Sequence, residues 1–116
     1  MVSVVHLVNK SNCFADAPLV EINTTFETVV EGQSITLYCN ATGKPKPTIT
    51  WTKVGIAEVL ANNATFVTGT LNRNDTIDNT IQYQCTGRNG VENPATDVAN
   101  VTVHCKSVLQ LFCSYW

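Results

Sequence analysis

The sequence predicts an all-β fold, and three observations lead to this prediction. Threonine occurs sixteen times in the 116 residues, valine and isoleucine are frequent, and good helix formers are sparse. Turn signals recur at short intervals, as they do in antiparallel sandwiches and barrels. Between the turns, apolar and polar residues alternate with a period of two, which is typical of strands with one buried face.

The turn signals are short segments rich in glycine, proline and asparagine, and they separate the strand-like runs. They fall at positions 31–32, 43–47, 55, 62–63, 72–79 and 88–94. Four alternating runs each present one apolar face, which we expect to point into a common core. The predicted inward-facing residues are Ile35, Leu37 and Cys39, then Ile49 and Trp51, then Ile81, Tyr83 and Cys85, and finally Ala99, Val101 and Val103. The polar residues that alternate with them are expected on a solvated face, and in the third run these are Gln82, Gln84 and Thr86.

The charge pattern argues against nucleic acid as a partner. The net charge is −2 and the seven lysines and arginines are scattered, whereas nucleic-acid binding needs a concentrated basic face. Lys44, Lys46 and Lys53 could converge on one loop end and hold a sulfated glycan, although solvated loop charge is the simpler interpretation. No apolar run approaches the roughly 18–20 residues of a membrane span, so we expect no direct membrane insertion by this segment.

Acceptor triplets for N-glycosylation are in excess, and they indicate a secreted chain. Twelve asparagines and twenty-one serines and threonines would give about two Asn-x-Ser/Thr triplets by chance, but the sequence contains six. They begin at Asn9, Asn23, Asn40, Asn63, Asn74 and Asn100. Strand alternation places Asn40 outward on one predicted sheet and Asn100 outward on the other, and it places Asn23, Asn63 and Asn74 in edges or turns.

The five cysteines favour structural disulfides in an oxidising compartment. None forms a Cys-x-x-Cys pair, and neither His6 nor His104 has zinc-finger spacing, so we predict no metal site. The acidic residues also lack the spacing of a calcium loop, and solvated loop acids are the simpler interpretation. Those residues are Asp75, Asp78, Glu92 and Asp97.

The spacing of four core residues resembles a known family. Cys39, Trp51 and the Tyr83-x-Cys85 pair follow the framework of the immunoglobulin fold. The segment EGQSITLYCNATGKPKPTITW is similar to the E-G-x-x-v-x-L-x-C-x-A-x-G-x-P-x-P-x-i-x-W pattern of intermediate-set and C2-type adhesion domains. The segment CTGRNGVENPATDVANVTV is similar to their Cys-x-Ala-x-Asn run followed by the last strand, with Gly87 in place of alanine and Asn89 at the asparagine position. The resemblance covers about residues 18–104, and an insertion is expected around residues 76–79.

The resemblance implies an immunoglobulin-like antiparallel β-sandwich with Greek-key connections and an inter-sheet disulfide between Cys39 and Cys85. The implied core residues are Leu37, Trp51 and Tyr83, with Tyr83 as the structural tyrosine corner. Three cysteines remain. In this fold the first and last strands run parallel, so Cys13 and Cys105 lie near opposite ends, too far apart for a disulfide. We therefore expect a second disulfide between Cys105 and Cys113, with Cys13 free or paired to another domain.

The predicted organisation is an N-terminal flank over residues 1–17, one domain over 18–104 and a C-terminal flank of unknown structure over 105–116. The first flank is interpreted as the remnant of a signal peptide or a linker. The resemblance implies an extracellular module, of a membrane protein's ectodomain or of a secreted protein, that mediates cell adhesion or cell-surface recognition by contacting other cell-surface or extracellular proteins.

Two alternatives to the adhesion role stay open. The chain could be a ligand-binding ectodomain piece of a signalling receptor, such as a receptor kinase, or a matrix spacer domain. We predict that it is not an enzyme and uses no cofactor, because the sequence contains no nucleophile elbow, phosphate loop or paired inward carboxylates.

Overall fold

The computed structural model describes residues 15–72, 76 and 79–105. These residues form seven strands and no helix. The strands are β1 (Asp16–Ile22), β2 (Phe26–Val30), β3 (Thr36–Lys44), β4 (Thr48–Lys53), β5 (Thr65–Val67), β6 (Thr80–Arg88) and β7 (Ala95–His104). The predictions made for Asn9, Cys13, Asn74, Asp75, Asp78 and Cys113 lie outside the described residues.

The strands form two sheets that pack as a sandwich. The three-stranded sheet has the order β1-β3-β5, and the four-stranded sheet has the order β2-β7-β6-β4. All pairs are antiparallel except β2 and β7, which are parallel. The chain passes from one sheet to the other between β3 and β4, through the proline-containing residues 45–47. The predicted all-β sandwich is therefore confirmed.

A disulfide joins the two sheets through the core. Cys39 on β3 is bonded to Cys85 on β6, with a distance of 6.5 Å between the Cα atoms. This is within the range of 4.4–6.8 Å that disulfides usually span. The inter-sheet disulfide implied by the resemblance is confirmed.

An aromatic cluster fills the core beside this disulfide. Trp51 is fully buried, and its ring stacks on Phe66 with a centroid distance of 5.5 Å. Phe66 in turn meets Tyr83 edge to face at 5.2 Å. The Trp51 Nε1–H donates to the Asn63 carbonyl oxygen at 3.0 Å, so the buried indole nitrogen has its partner. Leu37 is also fully buried and completes the set of residues expected in the core.

The predicted alternation describes the strands well, with one departure. Ten of the eleven residues predicted to face inward are buried, and Ile35 is half-buried against the core. Thr86 was expected on the solvated face, but it is only 7% exposed. It pairs with Thr50 on one side and with Thr96 on the other, so neighbouring strands shield it on both sides. The prediction that Thr86 is solvated was wrong, because the threonines paired with it on both neighbouring strands shield this position of β6.

Asp97 ties the first strand to the opposite sheet. Its Oδ2 accepts from the Ile22 backbone N–H at 2.9 Å, and its Oδ1 accepts from the Val98 N–H at 2.9 Å. Hydrogen bonds to a charged acceptor are stronger than neutral ones, so this contact fixes the end of β1 over β7. Within the described part of the chain, no group of three histidine, cysteine, aspartate or glutamate residues could hold a metal ion.

Gly87 allows β1 to approach β6 closely. A Cβ atom added at Gly87 would lie 2.6 Å from Val20 Cγ1 and 3.6 Å from Pro47 Cβ. The first distance is shorter than any ordinary contact between carbon atoms. The glycine that replaces the family's alanine is therefore matched by a valine methyl group that fills the vacated space.

We expect Gly87→Ala to lower the free energy of unfolding by about 1–3 kcal/mol, the usual cost of overpacking a core. Adding Val20→Ala should recover much of that loss, because it removes the clashing methyl group. Gly69→Ala is the matched control, since a Cβ atom there meets nothing within 4 Å. Chemical denaturation of the four proteins measures these differences. Equal stability of Gly87→Ala and Gly69→Ala would contradict the close approach.

Candidate functional site

Four large apolar side chains are exposed in the connection that follows β4. Val54, Ile56, Val59 and Leu60 are between 37% and 51% exposed and lie within seven residues of each other. We call residues 54–60 the apolar segment. Single exposed apolar residues are common, but a cluster of them is a typical mark of a surface that contacts another protein.

The apolar segment is anchored at both ends. At its start, the Val54 N–H donates to the Gln82 carbonyl at 3.0 Å, and the Ile56 N–H closes a turn on the Lys53 carbonyl at 3.0 Å. At its end, the Leu60 N–H donates to the Trp51 carbonyl at 2.7 Å, and the Trp51 N–H donates to the Ala61 carbonyl at 2.9 Å. The segment is thus held along β4, at one edge of the four-stranded sheet.

A second surface is formed by the loops 45–47 and 89–94, which we call the loop end. Asn89 joins its parts: the Nδ2 group donates to the Asp16 carbonyl at 2.7 Å and to the Pro45 carbonyl at 2.9 Å. The Asn89 Oδ1 accepts from the Val91 N–H at 3.0 Å. One side chain therefore connects the start of β1 with both loops and pre-organises this end of the sandwich.

Gly43 makes the loop end possible, because its backbone and its surroundings both require glycine. Its φ is +152°, and an added Cβ would lie 2.9 Å from Asn89 Nδ2 and 3.2 Å from the Ala17 carbonyl oxygen. A side chain here would displace Asn89 from its two acceptors. This contact gives a physical reason for the glycine in the CNATG motif.

The three lysines considered as a possible sulfated-glycan site do not converge on one loop end. Lys53 pairs with Tyr83 at the far end of β4, whereas Thr48, at the start of that strand, pairs with Arg88 near the loop end. Five residues of strand separate these ends by roughly 16 Å. Lys46 instead bends back, and its Nζ donates to the Ala41 carbonyl at 3.4 Å. The suggested sulfate-binding cluster of Lys44, Lys46 and Lys53 is therefore not assembled.

The asparagines that begin acceptor triplets, where the structure describes them, lie on the surface. Asn23, Asn40 and Asn63 are exposed, and Asn100 is half-buried on the outer face of β7. Asn40 lies on the outer face of the three-stranded sheet, since its neighbours Cys39 and Ala41 are buried. Asn40 and Asn100 therefore place an acceptor triplet on each of the two outer sheet faces, and attachment of a sugar at any of these sites remains a prediction.

A small cleft opens between the apolar segment and the core. It has a volume of about 240 Å³, and its lining includes Leu60, Phe66, Leu71 and Tyr83. Clefts that bind small molecules usually enclose roughly 300–1,000 Å³. The cleft is thus smaller than a typical ligand site, and the two exposed surfaces are the better candidates for a functional site.

Cys105 follows β7 directly, and it is disulfide-bonded. The parallel pairing of β2 with β7 puts His104 beside Val30, whereas β1 begins beside Lys44, at the loop end. The expected pairing of Cys105 with Cys113 involves a residue outside the described range and stays a prediction.

Sequence reasoning missed the apolar segment and the roles of Phe66, Asn89 and Asp97. The run VGIAEVL has no period of two, so no strand pattern marked it. The available signal was the density of large apolar residues between two turn signals, in a stretch with no predicted core face. Asn89 was recognised only as a residue shared with the family, and its hydrogen bonds depend on loops far apart in sequence.

Comparison with known proteins defines the class. The model of the immunoglobulin domain family matches residues 18–89, more than half of the chain. With two sheets, an inter-sheet disulfide and a buried tryptophan, the chain belongs to the immunoglobulin domain family. No helix in the part of the chain that the structure describes is long and apolar enough to cross a membrane.

Three curated relatives share parts of this sequence. Lachesin of Drosophila melanogaster is 32% identical over 94 residues, which cover 79% of this chain and 26% of lachesin. The BDNF/NT-3 growth factors receptor of Gallus gallus is 50% identical over 40 residues, covering 34% of this chain and 5% of the receptor. Human hemicentin-1 is 29% identical over 79 residues, covering 62% of this chain and 1% of hemicentin-1. The chain thus spans about a quarter or less of these relatives.

Solved structures show the same fold. The N-terminal eight immunoglobulin domains of Down Syndrome Cell Adhesion Molecule (isoform 1.30.30) match with a TM-score of 0.66 and 23% identity, over 79% of this chain and 13% of that one. The first two immunoglobulin domains of DIP-gamma match with a TM-score of 0.54 and 25% identity, over 73% of this chain and 48% of that one. The fold is therefore that of immunoglobulin domains, including those of a cell adhesion molecule.

Proposed function

We propose that this chain is an extracellular immunoglobulin module that mediates cell adhesion or cell-surface recognition by contacting other proteins. It works by binding rather than by catalysis. The observation that carries the proposal is the apolar segment, in which Val54, Ile56, Val59 and Leu60 are exposed together on an anchored loop. Hydrophobic contacts of this kind form the centre of protein interfaces.

The positions of the acceptor asparagines support the choice of this surface. A standard interface needs about 800 Å² on each partner. Glycans on Asn40 and Asn100 would crowd the outer face of each sheet, and they would leave the apolar segment and the loop end open. We infer that partners approach along the β4 edge, with the loop end available for a second contact or for stacking on a neighbouring domain.

One observation favours a receptor as the second candidate. Identity rises to 50% over the 40 residues shared with a chicken growth factor receptor. In that case the chain would be a ligand-binding piece of a signalling ectodomain, and its partner would be a soluble growth factor rather than a protein on another cell. The apolar segment would serve either partner.

A binding panel distinguishes the two candidates. The domain, secreted from animal cells and multimerised to raise its avidity, is presented to a panel of cell-surface ectodomains that includes a second copy of itself, and separately to BDNF and NT-3. Adhesion predicts binding to one or more ectodomains. A receptor role predicts binding to a growth factor alone. Binding to neither class, by protein shown to be folded, would contradict both.

We expect the double substitution Ile56→Asp/Val59→Asp to weaken binding to the partner at least 10-fold while the domain stays folded. Two charges placed in the centre of an apolar contact must lose their hydration when the complex forms. Leu19→Asp is the matched control, because Leu19 is 69% exposed on the outer face of β1, away from the apolar segment. Surface plasmon resonance measures the affinities. Equal binding by wild type and the double variant would place the interface elsewhere.

A further inference from the structure

Each sheet carries an exposed aromatic ring beside its acceptor asparagine. On the four-stranded sheet, Phe26 is 76% exposed and is the register partner of Asn100 on the neighbouring strand. On the three-stranded sheet, Tyr38 is 52% exposed and precedes Asn40 by two residues on the same strand. Each ring therefore offers apolar surface to a group attached to the neighbouring asparagine.

In both sheets, the aromatic ring and the acceptor asparagine lie on the same face. Inward-facing Val29 and Val101 are buried, so the alternation turns Phe26 and Asn100 outward together. Adjacent strands lie roughly 4.8 Å apart, so the Asn100 and Phe26 side chains start from neighbouring positions on the same face. Tyr38 and Asn40 are outward in the same way, and two residues of strand separate them by roughly 7 Å.

The hydrogen bonds of Asn100 set the direction of its amide nitrogen. Its Nδ2 group donates to the Thr25 carbonyl at 3.3 Å, and its Oδ1 accepts from Gln82 Nε2 at 2.8 Å. A carbonyl oxygen only accepts, so the atom that faces Thr25 must be the nitrogen. The Asn100 nitrogen thus points towards the start of β2, where Phe26 follows Thr25, and a group attached to it begins next to the ring.

At Asn40 the neighbourhood is a shallow groove. It is lined by Glu21, Ile22, Asn23, Tyr38 and Asn40. Asn23 lies opposite Tyr38 and accepts from the Tyr38 backbone N–H at 3.0 Å through its Oδ1. Tyr38 therefore lies between two acceptor triplets, and Asn40 is the one on the same strand and the same face as the ring.

We propose that the rings of Phe26 and Tyr38 pack against the first sugar residues of N-linked glycans on Asn100 and Asn40, respectively. We call each ring the seat of its sugar. This inference rests on the extracellular location given in the proposed function. The face of a pyranose ring that carries C–H groups is apolar and packs against the face of an aromatic ring, as other apolar groups do. Packing there removes apolar surface of both rings from water.

The attachment itself is ordinary glycosyl transfer. The asparagine Nδ2 forms a bond to C1 of an N-acetylglucosamine that is carried on a lipid diphosphate, and the bond from C1 to the diphosphate oxygen breaks. The nitrogen loses one proton, and the lipid diphosphate leaves. At Asn100 the nitrogen keeps one N–H group, and the Oδ1 bond from Gln82 is retained.

The seats give the glycans a defined direction. A first sugar held on Phe26 covers β2 and β7 at the Thr25 end, and one held on Tyr38 covers the groove between β1 and β3. Each outer sheet face is then covered by an ordered first sugar as well as by the mobile remainder of the glycan. The apolar segment, whose side chains lie on the β4 edge, is left open.

A double-mutant cycle tests the seat at Phe26. Wild type, Phe26→Ala, Thr102→Ala and the double variant are secreted from animal cells, trimmed to a single N-acetylglucosamine per site, and checked by glycopeptide mapping. Thr102→Ala removes the acceptor triplet but keeps the Asn100 amide and its hydrogen bonds. We expect loss of the glycan to lower the unfolding midpoint with phenylalanine present and to have a much smaller effect with alanine. Equal effects in both backgrounds would overturn the seat.

The same cycle with Tyr38→Ala and Thr42→Ala tests the second seat, with Asn23→Gln included to remove the neighbouring triplet. A direct readout is the upfield shift that a ring imposes on the sugar protons stacked upon it. We expect this shift in the wild-type protein and its loss in Phe26→Ala. Glycopeptides unmodified at Asn40 and Asn100 in the secreted protein would refute the seats and leave the proposed binding function standing. If the sites carry sugars but the cycle shows no coupling between ring and glycan and the sugar protons show no upfield shift, the seats are refuted and the glycosylation stands.

Discussion

Replacing both Cys39 and Cys85 by alanine is expected to leave the chain largely unfolded or poorly secreted. The disulfide closes a loop of 46 residues. In the chain-entropy account of disulfides, such a loop contributes about 4 kcal/mol. A domain of this size has about 5–15 kcal/mol in total. Loss of the bond therefore removes a large share of its stability.

The measurement is thermal unfolding followed by circular dichroism, together with the yield of secreted protein. Alanine also leaves space at two buried positions, so Cys39→Ala/Cys85→Val serves as a second variant that restores part of the lost volume. If the cross-link dominates, both variants should be strongly destabilised. A double-alanine variant that melts within a few degrees of wild type would contradict this account of the fold.

Trp51→Ala is expected to lower the free energy of unfolding by about 3–5 kcal/mol, the usual cost of deleting a large buried aromatic side chain. It removes the stack on Phe66 and leaves the Asn63 carbonyl without its indole donor. Because the apolar segment ends against Trp51, where the Leu60 N–H donates to the Trp51 carbonyl, the substitution should also loosen the segment at Leu60.

Trp51→Phe separates the two contributions. It keeps a ring against Phe66 but lacks the donor, so we expect a smaller loss than with alanine. Chemical denaturation followed by circular dichroism measures both variants and does not depend on tryptophan fluorescence. If Trp51→Ala were as stable as wild type, the aromatic cluster would not be the centre of the core.

The features that could be predicted from the sequence are those that repeat locally or have fixed spacing. Alternation identified the core face of β3, β4, β6 and β7, because burial on one side of a sheet imposes a period of two. Spacing and resemblance together identified Cys39, Trp51 and Cys85. These residues depend on a common architecture, and that architecture leaves a pattern in the sequence.

The features that were missed depend on contacts between distant segments. Asn89 joins Asp16 to Pro45, and Asp97 meets Ile22 across 75 positions of the chain. Nothing near Asn89 or Asp97 in the sequence indicates these partners. Thr86 was misjudged for the related reason that alternation describes one strand, whereas its burial is decided by the strands on either side.

The candidate site was the least predictable part. The loop end was expected from its turn signals, and the structure adds the asparagine that organises it. The apolar segment is neither strand nor helix, and its exposure is known only once β4 and its neighbours are placed. Sequence shows that apolar residues are present there, and only the structure shows that they face solvent.

Hydrogen–deuterium exchange of the domain, with and without the partner found in the binding panel, tests the central proposal most directly. Binding is expected to slow exchange in residues 54–60 and along the β4 edge, while the outer faces of β3 and β7 around Asn40 and Asn100 keep their rates. Protection confined to those outer faces, with residues 54–60 unchanged, would contradict the proposal.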